Sequence, residues 1–147
     1  DGHAAPVQFH HHAHDVTAFR SALCFWDEGD ENAPHVMAEA GPWAIEHFME
    51  EGAAECRFIQ SLKSFAASRL FDRTGIFGRA FAFEDLFNTF FKLLRVHATP
   101  QLDGLPREIW VGRPVEYVGS HPDPALAMQR YQAAHGTWRR RHARVCP

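Results

Sequence analysis

Two short stretches carry the side chains best suited to chemistry. The first, "FHHHAH", brings together His10, His11, His12 and His14. Imidazoles bind zinc, copper or nickel, but a specific site needs convergent ligands with outer support. Adjacent histidines on one near-terminal segment do not supply that convergence. No cysteine or acidic residue stands at a useful spacing, so the run reads as a solvated or edge-strand segment and no metal ligands are assigned. The second stretch, "ECRFIQSLKSFAAS", spans residues 55 to 68 and carries Lys63, one of two lysines among fifteen basic residues. Read locally, Lys63 is a boundary lysine whose methylenes pack while its ammonium reaches water. Read functionally, it is a cation presented towards a phosphate, where it would offset charge developing in phosphoryl transfer.

The elements that must position these residues follow from periodicity. "SALCFW", residues 21 to 26, predicts a strand that stops at the acidic, turn-rich "DEGDENAP". "GPWAIEHFME" predicts a short helix opened by Gly41-Pro42, since proline at the first helical position costs no hydrogen bond. Ile59, Leu62, Phe65, Ala66 and Leu70 recur at helical spacing, which predicts a helix from Ala53 to about Leu70 with Lys63 flanking its buried stripe. "GIFGRAFAFED" predicts one or two short strands, and Glu84 to His97 a helix with a broad apolar face. Its acids stand at the start and Lys92, Arg95 and His97 near the end, as the helix dipole favours. Glu108 to Val111 is the next strand candidate. Asp123 then caps a last helix with Pro124 in its first turn. The expected class is α/β.

Composition narrows the function classes. At 147 residues and 46% hydrophobic content the chain can bury a real core. It has no membrane-length apolar run and no signal-peptide pattern. Cys24, Cys56 and Cys146 are too few and scattered for a disulfide framework or zinc knuckle, which fits a reducing cytoplasm. The net charge of −3 conceals a split: "WRRRHARVCP" holds four arginines and no acid, leaving eleven basic against eighteen acidic residues before it, or −7. That tail lacks interleaved aromatics beyond Trp138 and has no basic face to extend, so nucleic-acid binding is not expected. Gly-x-Ser-x-Gly, Walker and His-Glu-x-x-His signatures are absent from the sequence.

Several stretches, taken in order, resemble a known family. "FRSALCFW", "RFIQSLKSFAASRLF", "IFGRAFAFEDLFNTFF" and "REIWVGRPVEYVGSHPDPALAMQRYQAA" are similar to the N-terminal ATPase region of the seventy-kilodalton heat-shock (DnaK-type) chaperones, in particular their YegD-like branch. The resemblance covers roughly residues 15 to 134. It implies part of one lobe of an actin-like, ribonuclease-H-like ATPase domain, truncated at both ends. ATP and Mg2+ would serve the intact parent, and unfolded or client proteins would be its partners. Lys63 falls where the family keeps a lysine close to the γ-phosphate, which implies a catalytic role in stabilising charge and positioning water. Pro114 falls where the family has a proline coupling nucleotide state to client binding. The family's Asp-x-Gly-Thr phosphate loop is expected upstream of "PVQF", and its Glu-Pro motif is replaced by "HGTWRRRHARVCP". Residues 1–134 are therefore read as a partial nucleotide-binding domain and 135–147 as a basic tail, its reading frame lost near His135. A fragment of this kind is not expected to bind nucleotide tightly or hydrolyse it alone. The alternative is a non-catalytic interaction module that keeps part of the scaffold.

Overall fold

The run Ala22-Leu23-Cys24-Phe25 is buried from end to end, and in the computed structural model it forms the middle of a sheet. Residues 5–30, 33–102, 109–112, 114–134 and 143–145 are described. A hairpin of β1 (Phe9–His11) and β2 (His14–Val16) precedes β3 (Ala22–Asp27) and β4 (Val36–Ala40). Helix α1 (Gly41–Glu51), strand β5 (Arg57–Gln60) and a 3-10 turn (Leu62–Phe65) follow. A second hairpin, β6 (Arg73–Ile76) and β7 (Arg79–Ala82), leads into helix α2 (Phe83–Ala98). A 3-10 turn (Thr99–Gln101), β8 (Ile109–Val111), α3 (Pro124–Ala134) and β9 (Ala143–Val145) complete the order. The protein is mixed α/β, as its sequence pattern predicts.

Strand β3 pairs antiparallel with both neighbours in the order β4-β3-β5, Leu23 facing Ala40 on one side and Ile59 on the other. Successive strand side chains point to opposite faces. Leu23 and Phe25 accordingly enter one core with Phe83, Leu86, Phe87 and Phe90 of α2, while Ala22 and Cys24 enter a second with Ala44 of α1 and Cys56. A strand covered on both faces needs no polar alternation, which explains the unbroken apolar run.

Helix α1 begins where the chain turns sharply. Gly41 has a φ of 62°, and a Cβ there would lie 2.7 Å from the Phe19 ring, so any larger residue would collide with it. Helix α2 matches its expected span. The Asp85 carboxylate accepts the Ala82 N–H at 2.9 Å, with Glu84 and Asp85 in the first turn and Arg95 and His97 in the last. Helix α3 packs on α2 through Tyr131, whose ring meets Phe87 edge-on at 5.2 Å. Strands β8 and β9 pair in parallel, Ile109 opposite Ala143, with α3 between them in the chain, the connection that parallel pairing requires.

One expectation is overturned. Residues 53 to 70 do not form a helix: Arg57–Gln60 is a strand and Leu62–Phe65 a 3-10 turn. Phe58 packs into the α1-side core and Ile59 against the α2-side core. Leu62 and Ala66 are buried, but Phe65 and Leu70 are exposed, Leu70 fully so. Apolar residues needed by two faces of a strand and then by a turn had imitated a single helical stripe. Of the basic tail, only Ala143–Val145 lies within the described residues; the arginine run and Trp138 lie outside them. Among the described residues no helix is long and apolar enough to cross a membrane.

Candidate functional site

Lys63 stands on the 3-10 turn that leaves the edge strand β5. Ser61 reverses the chain with a φ of 59°, a left-handed conformation costing about 1 kcal/mol for a non-glycine residue. Its N–H donates to the Ser21 carbonyl at 3.0 Å, and its own carbonyl accepts from Ser64 at 2.9 Å. Leu62 plugs the core beneath, leaving Lys63 half-buried at the rim.

The turn is then fastened from the C-terminal side of the chain. The Val118 N–H donates to the Ser64 carbonyl at 3.0 Å and the Asp123 N–H to Ala67 at 2.9 Å. Arg130 of α3 is 2% exposed. Its guanidinium donates to the carbonyls of Ala66 at 3.0 Å, Ser68 at 2.8 Å and Phe71 at 2.8 Å. The same guanidinium lies over the Phe83 ring at 4.6 Å. A Glu84 oxygen sits 3.4 Å from its Nε, close enough for charge attraction though not aligned as a hydrogen bond. Asp123 fulfils the cap read from sequence, one oxygen accepting the N–H groups of Ala125 and Leu126 at 3.0 Å. Its other oxygen accepts from Arg69 at 2.7 Å. The Leu126 N–H first, then Arg69, holds the Asp123 carboxyl below its usual value.

Lys63 is therefore a cation on a fixed support. Among the described residues no carboxylate is ion-paired with it. Pro114 is half-buried at the start of the segment that carries Val118 to the turn. One groove borders this turn and another lies apart from it. One, of about 530 Å³, runs beside β5 between Ile59, Phe65, Leu70, Phe71 and Val118. The other, of about 520 Å³, lies between β4, β7 and α2 and includes Arg79 and Lys92. Lys63 lines neither.

The histidine run behaves differently from its appearance in the sequence. His11 pairs with His14 across the β1-β2 hairpin, so the edge-strand reading holds. His10 bonds to Asp15. His11 and His12 both turn to Glu46 of α1, with Nε2 atoms 3.1 and 2.8 Å from its Oε2. The acid that His11 and His12 share does not stand at a local spacing, because Glu46 is 35 residues from His11 in the chain. The only trace in the sequence is that Trp43 and Glu46 share one face of α1 at i, i+3. The Trp43 ring meets His11 edge-on at 5.0 Å and stacks on His97 at 3.6 Å. His97 in turn bonds to Glu39 at 2.9 Å.

Two of the three cysteines meet in the α1-side core. Cys24 and Cys56 are free and buried. Burial first, and then the neighbouring Cys56, push the Cys24 thiol up to about 12, which makes it a poor nucleophile. No family model, curated protein or solved structure matches the chain.

Proposed function

We propose that the chain is part of an actin-like nucleotide-binding lobe from an ATP-dependent, heat-shock-type chaperone, with Lys63 as its phosphate-facing cation. The observation that carries this reading is the Lys63 turn. A half-buried lysine with no carboxylate ion pair among the described residues stands on a backbone anchored by Arg130, Val118 and Asp123. Phosphoryl transfer is catalysed mainly by positioning and electrostatics, so a fixed cation is the useful kind. The ordered sequence resemblance supplies the ligand class. In the intact parent, with ATP and Mg2+, Lys63 would stabilise charge on the transferred phosphoryl group and orient the attacking water. Lys63 is one such element, and the chain should turn over ATP poorly. Thermal unfolding with and without Mg2+-ATP tests the binding half of the reading. A raised midpoint in the wild type that is reduced in Lys63→Ala supports it. A midpoint raised equally in both removes Lys63 from the site.

A second reading, a non-catalytic interaction module, is favoured by one observation. Strand β5 is a sheet edge, and the groove beside it exposes Phe65 and Leu70. Unpaired edges next to apolar surface recruit partners. The absence of any nucleotide-induced stabilisation, combined with self-association of the wild type in sedimentation that Leu70→Asp removes, would favour this reading over the first.

A further inference from the structure

We propose that His11, His12 and Glu46 form a binding site for one divalent transition-metal ion, zinc by donor type, with the two Nε2 atoms and a Glu46 carboxylate oxygen as ligands. The site shares none of these residues with the Lys63 turn and does not depend on the nucleotide reading.

The three ligand atoms lie within 4.8 Å of one another. Four ligands at about 2.1 Å from zinc in a tetrahedron stand roughly 3.4 Å apart. The separations of 3.1 Å for His11 and 2.8 Å for His12 to the same Glu46 oxygen need to open by about 0.3 and 0.6 Å to reach that spacing. Consecutive residues on a regular strand point to opposite faces, so two adjacent histidines should not share a ligand. They do here because His12 sits in the hairpin turn with a φ of 53°. That conformation is uncommon and costly outside glycine, and its effect is to bring the second imidazole onto the carboxylate the first already meets.

The donors come from two elements with separate support. His11 is held in the β1-β2 ladder and against Trp43, and Glu46 is carried by α1. The charge also suits a dication. Glu50, one turn beyond Glu46, adds a second negative charge that acts on His12. Two imidazoles and one carboxylate match a zinc donor set that keeps a fourth position open. A groove of about 590 Å³ lined by His11, Glu46, Asp15, Thr17 and Arg20 leaves that position accessible to water or a small anion. His10 and His14 are outside the set, since His10 is engaged by Asp15.

Calorimetric titration of the whole chain with zinc chloride tests the site. Cobalt(II) visible spectra report its geometry. One equivalent should bind, with a four-coordinate cobalt spectrum. Glu46→Gln and His12→Ala should each weaken zinc at least about tenfold, whereas the double variant His10→Ala/His14→Ala should retain wild-type affinity. Circular dichroism verifies the fold of each variant, and zinc should raise the unfolding midpoint of the wild type but not of Glu46→Gln. No saturable binding would overturn the proposal. So would Glu46→Gln binding zinc as tightly as the wild type, or the His10/His14 variant losing as much as Glu46→Gln, because either marks simple capture by a histidine run.

Discussion

The Lys63 turn and the His12 turn both place a non-glycine residue in left-handed backbone, Ser61 in one and His12 in the other, yet they are held in opposite ways. At the Lys63 turn the fastening is buried and runs through the backbone: one guanidinium gathers three carbonyls under a helix. At the His12 turn it is nearer the surface, with His12 exposed and His11 and Glu46 half-buried, and runs through side chains, two imidazoles against one carboxylate. The lesson is about what each can tolerate. A buried network leaves its partners unsatisfied when one member goes, whereas an exposed one gives them back to water. The first fixes a geometry, and the second can exchange a proton for another ligand.

Removing the buried guanidinium should separate the two turns most. Arg130→Ala strands three carbonyls and opens space beside Phe83, and should destabilise the fold by about 3–5 kcal/mol in urea titration. A loss under about 1 kcal/mol would show that the guanidinium is not what holds the turn. Next comes Trp43, half-buried between His11 and His97. Trp43→Ala should cost about 2 kcal/mol and loosen the hairpin, read as faster amide exchange at β1 and β2 with β3 unchanged.

Acid and base should separate the two regions further. At the Lys63 turn Asp123 has its carboxyl held below the usual 3.8, first by the Leu126 N–H. Its contribution is fully present above that value and disappears as pH falls through the lower folded one. At the hairpin, the hydrogen bond to Glu46 raises His12 above the usual 6.5, and the reciprocal bond lowers Glu46 below the usual 4.5. That pair contributes fully between 4.5 and 6.5. It fades as pH rises past the folded His12 value or drops past the folded Glu46 value. Asp123→Asn should flatten part of the acid limb and leave the alkaline limb in place, whereas His12→Gln should remove the alkaline limb together with the Glu46 share of the acid limb. Loss of the alkaline limb in Asp123→Asn would show that the regions are not independent.

The smallest effect uses the sheet between them as a reporter. With its thiol pushed up to about 12, Cys24 should resist alkylation near pH 8 in the native wild type. It should stay resistant in Trp43→Ala and His12→Gln but become reactive in Arg130→Ala. Equal reactivity throughout would mean that neither opening reaches β3.

Much of the scaffold was legible. Strand β3, helix α2 and the Asp123 cap each rest on signals within a few residues: an apolar run, a broad stripe bearing Leu86, Phe87 and Phe90, and a carboxylate before Pro124. Residues 53 to 70 were misread because Ile59, Leu62 and Ala66 serve a strand and then a turn, and three core-facing apolar positions at spacings of three and four look the same in either case. The candidate metal donors were half legible. The imidazoles were visible, but Glu46 joins them only after α1 packs beside the hairpin, and no local pattern encodes a pairing across 35 residues. The burial of Arg130 was invisible for the same reason, since a surface arginine and one that ties three carbonyls have the same neighbours in the chain.

The carbonyls that Arg130 gathers precede it by 64, 62 and 59 residues. A ribosome adds about 5–20 residues per second and releases the N-terminal end first. The segment from Ala66 to Phe71 therefore waits on the order of 3–13 seconds for its arginine after it has been made. During that interval its carbonyls bond to water and the apolar residues around it have no helix α3 to cover them. The Lys63 turn is thus a late structure in the life of each new molecule, completed only when the last described helix arrives. Any stop in translation before Arg130 leaves the segment that follows β5 unfastened.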